Sequence, residues 1–507
     1  MLPPKKWDYE ADVVVVGFGY AGACAAIAAH DSGAEVLILE KAPERFAGGN
    51  SAVSGGGMRI PLNLSEAIEY FKMLCFDTVS PDEIIDMVKA LSNVPEQLNR
   101  LGIKVKQLPP APWTGSTLPG SLHNVSRSCG IYFIDTDENP TFDAQMKCAG
   151  RLLYLSLKRL VIDRGIKVMY ETPAKKLVQN PFTKEILGVM AELKGQVIYV
   201  KARKATVLAC GGYEKNPRFW ADFNFPGIKV YQWGSPYNTG DGINMALDVG
   251  ASLWHMVSIE WDSPCIRVPS ELYGCAIQTK VVGALRSPPG SYIVVNKYGQ
   301  RFMNECKSLV HRKEPLEITY FNHERAEYPN IPFFLIFDES FRLKGPIASE
   351  DKIGWNAIFN FYEWSSDNSL EIAKGWIAKA DSIKELAIKM NIDPEGLENT
   401  IRKYNEYCKM GKDYDFNRPP EKMLPIITPP YYGVELALTL TNTQGGPRHN
   451  SKAQVLDTEN NPIPRLYVAG ELGSFWGFLY PGGGNISEAI AYGEIAGKNA
   501  AAETPWE

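Results

Sequence analysis

Hydrophobic positions change rhythm along the chain, and the clearest block lies near its start, where residues 13–16 are all valine. A short, unbroken apolar run predicts a strand buried on both faces. The alanine-rich stretch 23–30 predicts a helix that Gly33 ends, and residues 35–39 a second strand. Residues 64–102 carry helical periodicity, with Ser65 and Ser80 as caps ahead of acidic turns. A long helix is expected over 142–164. Strands are expected at 167–170, at 186–199 with hairpin character, and at 205–210. Further on, 292–302 predicts a hairpin turning at Tyr298 and Gly299, and 331–337 a buried strand. Residues 382–410 predict two amphipathic helices joined at Asp393 and Pro394. Residues 104–140 have no period and predict either a loop over a site or a surface excursion.

This order reads as an α/β chain with an insertion. One domain is expected over 1–260 and 430–507, interrupted by a second unit at 261–429, with the return to the first domain at Tyr431. A length of 507 residues is ample for two large cores. The net charge of −5 gives no reason to expect nucleic acid or an anionic membrane as partner. No apolar run is long enough to span a bilayer, and no signal peptide precedes the first strand. Nine scattered cysteines without a CxxC pair argue against a disulfide framework and a zinc site. The expected setting is the cytoplasm.

Chemistry enters at the first turn. Gly17, Gly19 and Gly22 have G-x-G-x-x-G spacing between strand and helix, enclosing Tyr20 and Ala21. Gly17 permits the tight turn, Gly19 lets a pyrophosphate approach, and Gly22 lets the helix pack on the strand. The helix N-terminus offers N–H groups to phosphate. Glu40, about 20 residues on, can accept from ribose hydroxyls. Beyond Lys41, the segment holding Gly48, Gly49, Asn50, Ser51, Gly55, Gly56 and Gly57 suits an extended cofactor or a plain glycine loop. Near the C-terminus, residues 469–489 combine Tyr480, three glycines at 482–484 and a helix start at Asn485, Ile486 and Ser487.

Taken together these segments resemble the fumarate reductase and succinate dehydrogenase flavoproteins, and most closely the 3-ketosteroid dehydrogenase branch. The motifs are VVVVGFGYAGACAA with LILEK, GGNSAVSGGGM, VLACGGYEKN, NTGDG, IVVNKYGQRFMNE, TQGG, and LYVAGE with GGGNISEAIAYGEIAG. The resemblance implies a Rossmann-like FAD-binding domain with an inserted α+β catalytic (capping) domain, and substrate between them. It assigns Glu40 to the adenosine ribose and Glu471 to the FAD chain. It adds Ala174, Ala209, Cys210, Gly211, Gly212, Asn238, Thr239, Asp241, Gly470, Gly484, Asn485 and Ile486 to the cofactor set. No histidine lies between His30 and His123, so FAD is expected to be non-covalent. No iron–sulfur or haem pattern occurs, which leaves the electron partner open. The oligomeric state is open too.

The family holds two chemistries. Where its fumarate reductases clamp a dicarboxylate and deliver a proton, this chain has Asn442 for a His, Pro481 for an Arg, and Leu309 for the proton-donating Arg. Gly283 replaces their Glu. Arg286 lies at the place of a substrate-binding Arg, and Arg312 could serve only with a shift. A dianion without its cations would be left unpaired. The ketosteroid dehydrogenases instead hold a ketone with a Tyr hydroxyl and a Gly N–H, which here are Tyr480 and Gly484. Two donors on one carbonyl stabilise enolate charge. A base then takes the α-proton and hydride passes to flavin N5. His311 is the best candidate base by chemistry, with an exposed loop histidine as the alternative. Tyr237, Trp476 and Phe478 could line an apolar pocket or belong to a core. The expectation is an FAD-dependent dehydrogenase acting on a CH–CH bond beside a ketone, in a cyclic, largely apolar substrate such as a 3-oxosteroid. The alternatives are an enoate reductase of the fumarate or urocanate type, using Arg286 and Arg312, and a non-enzymatic flavin carrier.

Overall fold

The computed structural model describes residues 3–108, 127–135, 149–268, 276–284, 287–309, 315–350 and 353–506. Arg286, His311 and Arg312 lie outside the described residues. The valine run is the centre of the first sheet. Tyr9–Val16 pairs in parallel with Val36–Leu39 on one side and Gln196–Leu208 on the other. Lys167–Met169 and Pro462–Val468 extend the parallel order outward. Alternation explains the unbroken apolar pattern. Val13, Val15, Val36 and Ile38 enter the core beneath the helices Tyr20–Asp31 and Gly484–Ala502. Val14, Val16, Leu37 and Leu39 enter the opposite core with Leu177, Val189 and Leu466. Each fully buried valine contributes on the order of 1.5–3 kcal/mol, so the four-residue run ties two cores together.

The second sheet is built on the 13-residue strand Tyr431–Thr443. Phe333–Asp338, Ala378–Ala380, Cys265–Ile266 and Ile259–Trp261 pair with it antiparallel, and Val230–Gln232 in parallel. Sheet membership therefore begins before residue 261 and ends after 429, and Tyr431 stays in the second sheet rather than returning to the first. The hairpin expected at 292–302 forms only its turn. Tyr292–Asn296 pairs with Phe333–Asp338, and the return arm makes a single bridge, Val295 to Arg301. The two expected helices form as Ile383–Met390 and Pro394–Met410, capped by the side chains of Ser382 and Asp393. They cover one face of the second sheet through Ile293, Val295, Phe334 and Ile336.

Beside this sheet lies a buried charge network. Arg301 donates to both oxygens of Glu305 (2.8 Å each) and to Asp413 (3.0 and 3.2 Å). Arg418 donates to the carbonyls of Tyr292 (2.7 Å) and Lys422 (2.8 Å) and stands 3.6 Å from Glu305. No helix among the described residues is long and apolar enough to cross a membrane.

Candidate active site

A cavity of about 600 Å³ opens between the two sheets. On its first-sheet side the Gly17 turn is left-handed (φ +103°), and a Cβ there would stand 2.2 Å from the Ala209 carbonyl oxygen. Glu40 closes the second strand. Its oxygens accept from the N–H groups of Phe18 (2.8 Å) and Ala42 (2.7 Å). Burial raises its carboxyl, against these bonds and the charge of Lys41. Lys41 in turn donates to Thr239 (2.7 Å) and Asp241 (2.6 Å). The helix that follows the turn is capped by Gly19 and by no side chain. Most residues expected to hold a cofactor border this cavity. Gly22, Gly212, Thr239 and Gly484 do not, and stand behind its wall.

One pair was not foreseen. Asn50 donates to Glu214 (2.9 Å) and Glu471 (3.1 Å) and accepts from the Ser235 N–H (2.8 Å). The two carboxyls hydrogen-bond each other, and burial raises both, Glu471 well above the usual range. Glu214 stands two residues after the glycine pair at 211–212, and an acid in that place was the available signal.

The loop that carries Tyr480 is pinned at both ends. Glu488, in the second turn of Gly484–Ala502, accepts from the Ser474 hydroxyl (2.6 Å) and the Phe475 N–H (2.9 Å). Arg59 donates through Nε to the Gly482 carbonyl (2.9 Å), and Ser487 donates to the Arg59 carbonyl (2.8 Å). Tyr480 is 7% exposed, borders the cavity, and accepts from the Asn485 N–H at 3.4 Å. Burial, then the nearby Glu260, raises its phenol. Trp476 and Phe478 do not border this cavity. Trp476 packs edge-on against Phe71, and Phe478 against Phe76. Tyr237 does border the cavity, but at its opposite end beside Glu40 and Arg45.

Burial pushes the Glu488 carboxyl up to about 7, against the bonds from Ser474 and Phe475 that lower it. A carboxyl raised on folding contributes stability below its unfolded value, and that contribution disappears as pH rises through the folded value. Glu488→Gln should therefore flatten the loss of stability between pH 5 and 8, by about 3 kcal/mol across the window. Melting curves of the two proteins that run parallel with pH would refute this.

The second-sheet side of the cavity carries Asn442 and Asp262. Asp262 accepts from the Ser263 N–H (2.6 Å) and the Thr441 hydroxyl (3.0 Å). Glu260 lies just behind, opposite Asn442 in the sheet, its carboxyl raised well above the usual range by burial and then by Asp262. Sequence reasoning missed both acids, Glu260 in a strand of three residues and Asp262 just beyond it. Leu309 and Gly283 pack together. Leu309 N–H donates to the Gly283 carbonyl (2.8 Å), and its side chain would stand 2.9 Å from a Cβ on Gly283. The two positions compared with a proton-donating Arg and a Glu thus form an apolar contact.

The FAD binding domain family matches residues 12–486. The probable fumarate reductase Ifc3 of Shewanella frigidimarina is 28% identical over 499 residues, 96% of this chain and 74% of that protein. The 3-oxosteroid 1-dehydrogenase of Mycolicibacterium smegmatis is 26% identical and covers 97% of each chain. The crystal structure of 3-ketosteroid Δ1-dehydrogenase from Sterolibacterium denitrificans, in complex with 1,4-androstadiene-3,17-dione, matches with a TM-score of 0.76 at 25% identity. It covers 97% of this chain and 99% of that one. The cavity fits an FAD. Glu40 keeps lone pairs for ribose hydroxyls, and the uncapped helix Tyr20–Asp31 suits a pyrophosphate. Asn485, on the wall at the start of the last helix, has both amide atoms buried without a partner among the described residues.

Proposed function

We propose, from the premise that the chain belongs to the FAD binding domain family of oxidoreductases, that it desaturates the C–C bond next to a ring ketone. The observation that carries this reading is Tyr480 on the cavity wall, its hydroxyl at the N-terminus of Gly484–Ala502, facing a side that holds carboxyl groups. A neutral carbonyl gains there from a phenol O–H and from N–H groups at a helix N-terminus, where negative charge is favoured. A carboxylate substrate would meet Asp262. The apolar contact of Leu309 with Gly283 supports the same choice, because neither residue can pass a proton.

Bound non-covalently, FAD would supply acceptance of the hydride that leaves the β-carbon. The protein's own residues do the rest. Tyr480 holds the ketone oxygen and acidifies the α-carbon, and His311 takes the α-proton; Gly484, expected as the second donor, does not border the cavity. Asn442 fills a place where a cation would otherwise draw an acid. Arg286 and Arg312 belong to the competing reading, reduction of an unsaturated acid, which kinship with fumarate reductases keeps in view.

Anaerobic mixing separates the two. Oxidised holoenzyme should lose its flavin absorbance with a panel of cyclic ketones, and reduced holoenzyme should not be reoxidised by fumarate or urocanate. Bleaching by no ketone, together with reoxidation by an unsaturated acid, would overturn the proposal.

A further inference from the structure

Arg59 is a buried cation without an anion. It is 1% exposed, in the short strand Met58–Pro61 that pairs with Cys129–Ile134. Among the described residues its guanidinium makes one hydrogen bond, from Nε to the Gly482 carbonyl (2.9 Å), and no ion pair. Its main chain is tied to the same loop. The Arg59 N–H donates to the Gly483 carbonyl (3.2 Å), and its own carbonyl accepts from the Ser487 hydroxyl (2.8 Å). The groups that feel its charge are a thiol and two phenols. Burial raises Cys129 and Tyr70, and at each the charge of Arg59 is the main influence opposing it. Burial and then Glu260 raise Tyr480, and Arg59 is among the groups that lower it. Glu260 is no counter-ion, because burial and then Asp262 raise its carboxyl well above the usual range and favour its neutral form. A guanidinium keeps its proton in proteins. Burying it among neutral groups is unfavourable unless a negative charge arises close by.

In the reaction proposed above such a charge does arise. When the α C–H bond breaks, the proton goes to the base and the electron pair moves onto the ketone oxygen held by Tyr480. When hydride leaves the β-carbon for FAD, that pair returns and completes the C=C bond. One phenol is a small source of positive field for the intervening enolate. Gly484 does not add to it from the wall. It does not border the cavity, and a Cβ on it would stand 2.6 Å from the Trp476 indole. Arg59 does not border the cavity either, so it acts without touching the substrate. A fixed charge in a buried setting acts strongly across such a gap.

We propose that Arg59 is a positioning residue whose positive charge, buried beneath the triglycine loop, offsets the enolate charge that develops on the ketone oxygen at Tyr480. This rests on the ring-ketone reading of the site and adds to it a residue that acts through Tyr480.

The test uses holoenzyme, anaerobic flavin bleaching by the panel of cyclic ketones, and two variants. Arg59→Gln removes the charge and keeps an N–H donor for Gly482. Arg59→Lys keeps the charge and alters the donor. Arg59→Gln should slow bleaching at saturating ketone by about 10–100-fold. The half-saturating concentration should stay within about threefold, because the charge exists only in the transition state and enolate. Arg59→Lys should recover most of the rate. An unchanged rate in Arg59→Gln would overturn the proposal, and equal losses in both variants would reduce Arg59 to a brace for Gly482. A rate loss matched by a lowered midpoint potential of the flavin would place the charge at the flavin and overturn it as well. All three outcomes leave the ring-ketone reading standing. Bleaching of wild type by no ketone would overturn that reading and this proposal with it. Wild type alone gives a second measurement should neither variant fold. The enolate mimic 2,6-difluorophenol should compete with the ketone and bind as the phenolate at a pH just below its ionisation in solution, read by fluorine NMR. A phenol bound in its neutral form, or one that does not bind, would overturn the proposal.

Discussion

Tyr480→Phe should lower turnover of a ring ketone by about 10²–10³-fold with FAD still bound. The substitution removes one hydroxyl and keeps the ring. That hydroxyl sits at the start of Gly484–Ala502, where it accepts from the Asn485 N–H, and it borders the cavity. The loop around it is held by other residues, through Arg59 to Gly482 and Glu488 to Ser474. Its geometry should therefore survive, and the loss should fall on the transition state, where enolate charge needs the second donor. The residues that fit FAD, such as Glu40 and Asn485, are untouched. Flavin content by absorbance and the rate of anaerobic bleaching give the two readouts. An unchanged bleaching rate would remove Tyr480 from the reaction.

Glu305→Ala should cost about 3–5 kcal/mol of stability, the largest loss expected from a single change outside the site. Glu305 is fully buried and receives both guanidinium donors of Arg301. It also accepts from the Val294 N–H (3.2 Å), in the second sheet. Burial alone would raise its carboxyl, but the charge and hydrogen bonds of Arg301, then Arg418, hold it below the ordinary value. Alanine would leave Arg301 with only Asp413, and the Arg418 guanidinium without an ion-pair partner among the described residues. The sign with pH follows. A depressed carboxyl contributes stability above its unfolded value near 4.5, and loses it as pH falls through the folded value. The gap between wild type and variant in denaturant unfolding should thus narrow in acid. A loss under about 1 kcal/mol at neutral pH would show that the network is weak, as exposed pairs are.

The consequence reaches the site. The Gly283 N–H donates to the Glu305 carbonyl (3.1 Å), so the network supports the segment that leads from Gln278 past Gly283. The motif RFMNE is thereby a structural element whose charges hold one wall of the cavity.

Legibility followed the range of the interactions. The strand at 13–16, the glycine turn and the cap at Ser80 are local features, and each formed as its residues predict, whereas the cap expected at Ser65 is supplied two residues earlier by Asn63. The turn at Gly299 formed as well, yet its hairpin did not, because Tyr292–Asn296 found a longer partner in Phe333–Asp338. Asp262 and Gln278 lie at the ends of strands of two or three residues, too short to show any period. Residues 431–443 carried a strand pattern but not the identity of its sheet.

By itself the sequence determined the dinucleotide turn, the cofactor class through its ordered motifs, and the loop in which Tyr480 stands. Those depend on backbone conformation and neighbours a few residues away. Tertiary structure alone decided that Glu214 meets Glu471 across Asn50, that Leu309 closes on Gly283, and that Asp262 and Gln278 share a cavity with Tyr480. Those juxtapositions come from pairing between distant strands, which local pattern does not encode, and from burial, which gives an unpaired amide or a neighbouring carboxyl its weight.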